Sequence, residues 1–168
     1  MAPNINFLVV LLTAFIPLLT GFIWYHQKVF GTAWMKSAGI SLENAKSSNM
    51  LLIFGFTFLF SFFIAYSLNF ITIHQWGFYS MLANEQGLND PGTVPGGLFR
   101  TLMDKYGNNF RTFKHGFVHG ILAGIFLALP LIAVNALFEK KGVAYIAINA
   151  GFWTINLALM GGVICAFS

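Results

Sequence analysis

Four long runs without a charged residue constrain this chain more than any other feature. The runs cover residues 5–24, 50–73, 116–138 and 143–167. A helix rises about 1.5 Å per residue, so each run can cross the roughly 30 Å hydrocarbon core of a bilayer. Each also exceeds the roughly 18 residues that separate a membrane span from a buried helix of a soluble protein. We therefore predict an all-α integral membrane protein, a four-helix bundle that forms a single transmembrane domain over residues 1–168.

The scarcity of charge supports lipid as the solvent. Charged residues make up 8% of the chain, against about 25% in a typical soluble domain. Hydrophobic residues reach 57%, and 20 residues are Phe. The lipid bilayer is thus the expected partner. The net charge of +4 is modest and its Lys and Arg residues are scattered, so nucleic acid is not expected as a partner.

The segments between the runs predict the connections. Glu139–Gly142 is short enough to make the third and fourth spans an antiparallel hairpin. Pro17 predicts a kink in the first span, and Ser41–Asn44 predicts the cap of a short helix before the second. The long segment from His74 to His115 contains a turn-forming centre. After it, apolar residues recur every three or four positions, which predicts an amphipathic helix at the membrane interface or continuous with the third span. They are Leu98, Leu102, Tyr106, Phe110, Phe113 and Phe117.

The distribution of Lys and Arg predicts the orientation. The first and third loops carry Lys28, Lys36, Lys46, Lys140 and Lys141, and the second loop carries Arg100, Lys105, Arg111 and Lys114. The positive-inside rule places the first and third loops in the cytoplasm and both termini outside it.

Three stretches carry a resemblance to a known family. They are Trp24–Tyr25 with Phe30–Trp34, Lys114–Gly116 with His119–Gly120, and Asn135–Glu139 with Ile148–Trp153. Together with four spans, they resemble domain-of-unknown-function family 1761, a group of small bacterial multi-span membrane proteins. The resemblance implies a location in the bacterial cytoplasmic (inner) membrane and implies no chemistry.

No catalytic residue is predicted. The sequence has no phosphate-binding glycine loop, HExxH or GxSxG motif, and none of its five acidic residues lies inside a run. The absence of acidic residues inside the runs argues against a proton-coupled carrier. The most direct interpretation is a non-catalytic homodimer or a subunit of a larger membrane complex. The alternatives are a small-solute transporter or channel, and a metal- or haem-binding membrane protein.

Intramembrane amides are the first candidate site. Asn135, Asn149 and Asn156 lie inside the last two runs. An amide facing lipid would lack hydrogen-bond partners, so Asn135 and Asn149 should point inward and bond to another helix or to each other. Such bonds usually serve packing, and a continuous file of amides would instead favour a path for a solute.

Small residues are the second feature. Gly120 with Gly124 and Ala147 with Gly151 form small-xxx-small pairs, and Gly161–Gly162 lies further along. These positions allow helices to approach closely, either within the chain or between two copies.

Histidines form the second candidate site. His115 and His119 stand one helical turn apart, and an even number of spans brings His74 and Cys165 to the same membrane face. A His pair with a third ligand suits zinc, copper or haem iron. We expect no bound cofactor, and the metal, if one binds, is left open. The alternative is that these histidines lie at the membrane interface and bond only to the backbone or to lipid. Gly161–Gly162 is expected to leave room for the imidazole of His119.

Overall fold

The computed structural model describes residues 3–41, 43 and 49–168, and this part of the chain contains helices but no strand. The helices are α1 (Phe7–Thr13), α2 (Ile16–Trp24), α3 (Thr32–Ala38), α4 (Met50–Thr72), α5 (Gln75–Leu82), α6 (Val94–Tyr106), α7 (Phe113–Ala123), α8 (Leu129–Phe138) and α9 (Val143–Phe167), with π-helical segments at Gln27–Gly31 and Gly124–Ala128. The cap predicted at Ser41–Asn44 falls partly outside the described residues.

Four helical stretches are long and apolar enough to cross a membrane. They are span 1 (Phe7–Trp24), span 2 (Met50–Thr72), span 3 (Phe113–Phe138) and span 4 (Val143–Phe167). The all-α class is therefore confirmed, and so is the prediction of four helices long and apolar enough to span a membrane. Large apolar side chains such as Leu51 are exposed along the spans. A water-soluble protein rarely exposes so much apolar surface, whereas a lipid-solvated one does.

Span 4 is the central helix. In the most apolar part of this span 56% of the residues are buried, against 17% to 22% in the other three spans. Span 4 contacts each of the other three spans, and α7 of span 3 is its closest neighbour. Spans 1, 2 and 3 therefore pack on span 4 and turn their remaining faces outward.

Glycines set the distance between spans 3 and 4. A Cβ atom on Gly116 would lie 2.1 Å from the carbonyl oxygen of Gly161, and one on Gly120 would lie 2.0 Å from that of Leu157. Only a residue without a side chain fits these positions. The close approach predicted from the small residues thus occurs within the chain.

The space expected beside Gly161–Gly162 is occupied by other groups. Gly161 lies against the backbone of Gly116, and a Cβ on Gly162 would be 2.6 Å from the ring of Phe113. The expectation that His119 enters this space is therefore wrong. The α7 backbone comes too close to span 4 there for an imidazole to fit between them.

Prolines explain the irregularities within the spans. Span 1 is interrupted between Thr13 and Ile16, and Pro17 lies in the first turn of α2. This agrees with the predicted kink, because proline has no N–H and its ring conflicts with the carbonyl four residues earlier. In span 3, the π-helical segment Gly124–Ala128 comes just before Pro130. A π-helical turn accommodates the same conflict without ending the helix.

The amphipathic segment before span 3 is two helices rather than one. Helix α6 ends at Tyr106, and Thr112 caps α7 with its side chain, which accepts a hydrogen bond from the backbone N–H of His115. Between them Phe110 has a positive φ of 63°. The prediction of a single helix through Phe117 is wrong over 107–112, because Gly107 and the two asparagines after it favour a turn over a helix.

Candidate metal centre

Three histidines converge on the membrane side where spans 2 and 3 are joined. Each of His74, His115 and His119 offers one ring nitrogen, and the three nitrogens all lie within 4.8 Å of one another. His115 and His119 are half-buried, and His74 is exposed. The structure thus brings together residues separated by as many as 45 positions in the sequence.

The positions of the histidines follow from the local backbone. Ile73 is extended, with ψ of 100°, so the chain leaves span 2 and presents His74 at the start of α5. His115 and His119 lie in the first turns of α7, four residues apart, and therefore share one face. Gly116 and Gly120, next to them in sequence, are held against span 4. That contact fixes the rotation of α7 and so directs the histidine face towards His74.

Two of the rings are joined by a hydrogen bond. The Nε2 atoms of His74 and His115 are 2.9 Å apart. One of these nitrogens must carry the proton and the other must offer a lone pair, because two N–H groups would repel. The ring of His119 lies 4.5 Å from that of His115 and 5.0 Å from that of His74, centroid to centroid. All three imidazoles therefore face one small volume.

Phe110 forms one wall of this cluster. Its ring lies 5.1 Å from the ring of His115 and 6.0 Å from that of His74, centroid to centroid. The positive φ of Phe110 is unfavourable for a bulky residue and costs on the order of 1 kcal/mol or more. The backbone is held in this conformation where the ring meets the two histidines.

Cys165 is not part of the cluster. Its side chain is fully buried, and Sγ lies 3.3 Å from the carbonyl oxygen of Phe110 and 3.5 Å from that of Thr72. A thiol in this setting donates weakly to two carbonyls and packs as a small apolar group. The shared membrane face expected from the sequence is therefore not enough to make Cys165 a ligand.

The cluster has the chemistry of a nitrogen-ligand site. Its three members are all histidines, with no carboxylate or thiol among them. Tetrahedral zinc holds its nitrogen ligands at about 2.0–2.1 Å, which places the nitrogens about 3.4 Å apart. The hydrogen-bonded pair is closer than this, and the widest separation in the cluster is 4.8 Å. The rings would have to rotate about their side-chain torsions for the three nitrogens to reach that spacing.

The amides of span 4 hydrogen-bond to span 1 or next to it. Asn149 Oδ1 accepts from the hydroxyl of Tyr25 at 3.0 Å, and Asn156 Oδ1 accepts from Thr20 at 2.6 Å. Burial raises the pKa of Tyr25, so its hydroxyl stays protonated and able to donate. Each amide nitrogen donates to the carbonyl four residues earlier. Both side chains therefore act as interhelical packing contacts.

The structure differs from the expectation for Asn135. Its side chain is exposed, in the last turn of span 3 before Glu139. The physical reason is the depth of Asn135 in the membrane. An amide this close to the end of a span reaches the interfacial region, where water and head groups supply hydrogen bonds, so it is not driven inward.

Sequence reasoning missed two buried amides. Asn69, in span 2, is fully buried and its Oδ1 accepts from the hydroxyl of Ser168 at 2.6 Å. The signal was present, because Asn69 interrupts an apolar run as Asn149 does. Gln75 is 3% exposed, and its Nε2 donates to the carbonyl oxygens of Tyr106 and Asn109 at 2.9 Å each. No local pattern could reveal Gln75, since these partners lie more than 30 residues away.

The sequence matches the model of a known protein family. A family model described as "Protein of unknown function (DUF1761)" matches residues 8–165, which is nearly the whole chain. No curated protein and no solved structure matches the chain.

Proposed function

The chain belongs to the DUF1761 family of proteins of unknown function. Although no bound cofactor is expected from the sequence alone, we propose from the geometry of the three histidines that the protein binds one transition-metal ion. The ligands are His74, His115 and His119. The observation that carries the proposal is that three ring nitrogens from two separate elements lie within 4.8 Å of one another. We propose binding alone and assign no reaction to the site.

The ligand type selects the class of ion. Neutral imidazole suits zinc, copper, nickel and iron, whereas magnesium and calcium require oxygen ligands. Three protein ligands leave a fourth position of a tetrahedral ion open. His74 is exposed, so water or a ligand arriving from solvent can reach that position. These properties support a site that accepts and releases an ion.

A single ion is better supported than haem. A haem iron bound by two histidines needs them on opposite faces of the macrocycle, with the ring between them. The Nε2 atoms of His74 and His115 are 2.9 Å apart, which leaves no room for a porphyrin. His115 and His119 lie on the same helix face, so they cannot bind a haem iron from opposite sides either.

We propose the bacterial inner membrane as the location, with both termini outside the cytoplasm. The support is the count of Lys and Arg, which is five in the first and third loops and four in the second. The histidine cluster then lies on the extracytoplasmic side. A reporter that is active only in the cytoplasm, fused after Ser168, should be inactive, and an active fusion would reverse the orientation.

A second copy of the chain, or another membrane protein, is the proposed partner. An apolar groove of about 420 Å³ lies between spans 2 and 3, with span 4 at its floor. Phe63, Leu127 and Leu131 line this groove and are exposed. Such a groove can receive a helix of a neighbour. Light scattering of the protein in mild detergent tests this, and a strictly monomeric mass would count against it.

Metal binding is tested directly on the purified protein. The protein, carrying an affinity tag without histidine, is titrated with zinc and, in parallel, with cobalt, whose visible spectrum reports tetrahedral nitrogen ligands. We expect one ion per chain. His115→Ala should weaken binding at least about 100-fold, since even groups that only orient a ligand are worth 10–100-fold.

The chain supplies its own matched control. His26 lies in the first loop, where its Nδ1 accepts from the backbone N–H of Lys28, and it is not part of the cluster. His26→Ala should leave the affinity unchanged. An absence of saturable binding, or an equal loss in the two variants, would overturn the proposal.

A further inference from the structure

A second polar feature lies apart from the histidine cluster. A cavity of about 650 Å³ is lined in part by Asn4, Gln75, Arg111 and Ser168. These residues stand just before span 1, just after span 2, just before span 3 and just after span 4. The cavity therefore lies where four span ends meet, at the depth of the lipid head groups. Helix α6 supplies further lining residues, so the long second loop builds part of this cavity.

Gln75 leaves a buried acceptor unpaired in the lining. Both hydrogens of its amide nitrogen are used by the carbonyls of Tyr106 and Asn109, which also fixes which atom is oxygen. Its Oε1 is buried and has no hydrogen-bond partner among the residues the structure describes. Burying such an acceptor unpaired is unfavourable. A donor O–H or N–H of a bound molecule would satisfy it.

Two arginines supply hydrogen-bond donors suited to an anion at the cavity wall. Arg111 donates through Nε to the carbonyl oxygen of Cys165 at 3.0 Å, and it also donates to that of Ser168. These bonds hold its guanidinium at the cavity wall, with further N–H groups to donate. Arg100 and Asp104 also line the cavity. The Nε atom of Arg100 lies 3.8 Å from Oδ2 of Asp104, and both side chains are largely exposed. The unused N–H groups of these two guanidinium groups are what the lining offers to an anion.

We propose that this cavity binds a phosphoglycerol group, with a glycerol hydroxyl donating to Gln75 Oε1 and the phosphate at Arg100 and Arg111. The volume lies within the roughly 300–1,000 Å³ of small-molecule sites. Arginine is well matched to phosphate, because its N–H groups form paired hydrogen bonds with the oxygens. The group can come from an anionic phospholipid or from a soluble glycerol phosphate, and the depth of the cavity favours the lipid.

The test compares head groups on the delipidated protein in detergent. Phosphatidylglycerol, phosphatidylcholine and soluble glycerol 3-phosphate are added separately, and bound molecules are counted by native mass spectrometry. Phosphatidylcholine is the key comparison, because its head group is neutral overall and has no hydrogen-bond donor. We expect phosphatidylglycerol to bind about tenfold more tightly than phosphatidylcholine, because phosphatidylcholine cannot donate to Gln75 Oε1 and its choline group carries a positive charge near the two arginines.

The two sources of the group give different results. Weak binding of soluble glycerol 3-phosphate assigns the site to lipid, and binding as tight as that of phosphatidylglycerol assigns it to a soluble solute. No preference between the two lipids, with no binding of the soluble ester, would overturn the proposal and leave water as the partner of Gln75.

Two substitutions on α6 form a matched pair. Arg100→Gln and Lys105→Gln each remove one positive charge from an exposed position, but only Arg100 lines the cavity. Arg100→Gln should reduce the preference for phosphatidylglycerol several-fold, and Lys105→Gln should not. Gln75→Met should lower the preference for phosphatidylglycerol further, and thermal unfolding checks that this variant is folded. Equal effects of the two α6 variants would contradict the proposal. Arg100 does not belong to the histidine cluster, so the metal titration of this variant separates the two sites.

Discussion

Span 4 differs from the other three spans in what surrounds it. Protein buries 56% of the residues in its most apolar part, whereas 17% to 22% are buried in spans 1, 2 and 3. All four are nearly free of charged side chains, with Lys114 at the start of span 3 as the exception, so hydrophobicity alone does not distinguish them. What distinguishes span 4 is its small and polar residues, which would have no favourable contacts in lipid. Gly161, Asn149 and Asn156 are of this kind.

This difference shows which surfaces of the protein accept only particular side chains. On the outward faces of spans 1 to 3, one apolar side chain can replace another, because lipid adapts to either. On span 4 the neighbours are fixed backbone and side-chain atoms, so shape and hydrogen bonding decide which residues fit. Substitutions that are matched in chemistry but placed on the two kinds of surface should therefore differ widely in effect.

The largest difference is expected between two glycines. Gly120→Ala should destabilise the protein by about 3 kcal/mol, because the new methyl group would meet the carbonyl oxygen of Leu157 at 2.0 Å. Gly55→Ala, in span 2, should leave stability unchanged or raise it by up to about 1 kcal/mol, since nothing lies within 4 Å of its Cβ position and alanine favours a helix more than glycine does. The free energy of unfolding in mixed micelles, measured by titration with SDS, reports both. Similar values would mean that spans 3 and 4 do not pack as described.

A smaller difference is expected between two asparagines. Asn156→Leu should cost about 1.5 kcal/mol, near the upper end for interhelical hydrogen bonds, because Asn156 is fully buried and accepts from Thr20. Asn135→Leu should cost almost nothing, since that side chain is exposed at the end of span 3. The same unfolding titration compares them. An equal or larger cost at Asn135 would show that its amide has a partner inside the membrane.

The smallest difference is expected between two phenylalanines. Phe152, on span 4, lies 5.0 Å from the ring of Tyr25, centroid to centroid, and is 7% exposed. Phe152→Leu should cost about 1 kcal/mol for the lost aromatic contacts. Phe126 is 69% exposed, and Phe126→Leu should stay within about 0.5 kcal/mol of zero. If the exposed position were the more sensitive one, an unrecognised partner would cover that face of span 3.

The spans could be predicted because their signal is local. An uncharged run long enough to cross the bilayer specifies a helix whatever else the chain contains, and the predicted limits agree with the observed ones to within three residues. The meeting of His74 with His115 and His119 follows from similar reasoning, since the number of crossings fixes which span ends share a face. Neither inference requires knowledge of side-chain packing.

What could not be predicted depends on depth and on contacts distant in sequence. The inward direction expected for Asn135 ignored its closeness to the end of span 3. The room expected beside Gly161 and Gly162 ignored Gly116 and Phe113, which fill it. The buried Gln75 depends on partners more than 30 residues away. A sequence pattern does not show which of several helix faces, whether apolar or lined by small residues, pack against each other.

The contact between His74 and His115 has a consequence for the long second loop. The two residues are 41 positions apart, so the segment between them is a closed ring whenever the imidazoles are held together. Pinning the ends of a loop of that length removes chain entropy from the unfolded state, and the relation used for covalent bridges gives about 4 kcal/mol. An ion shared by the two histidines would act as a reversible cross-link of this kind. The order of α5, α6 and the turn at Phe110 would then depend on metal concentration, even though none of the residues in between touches the ion.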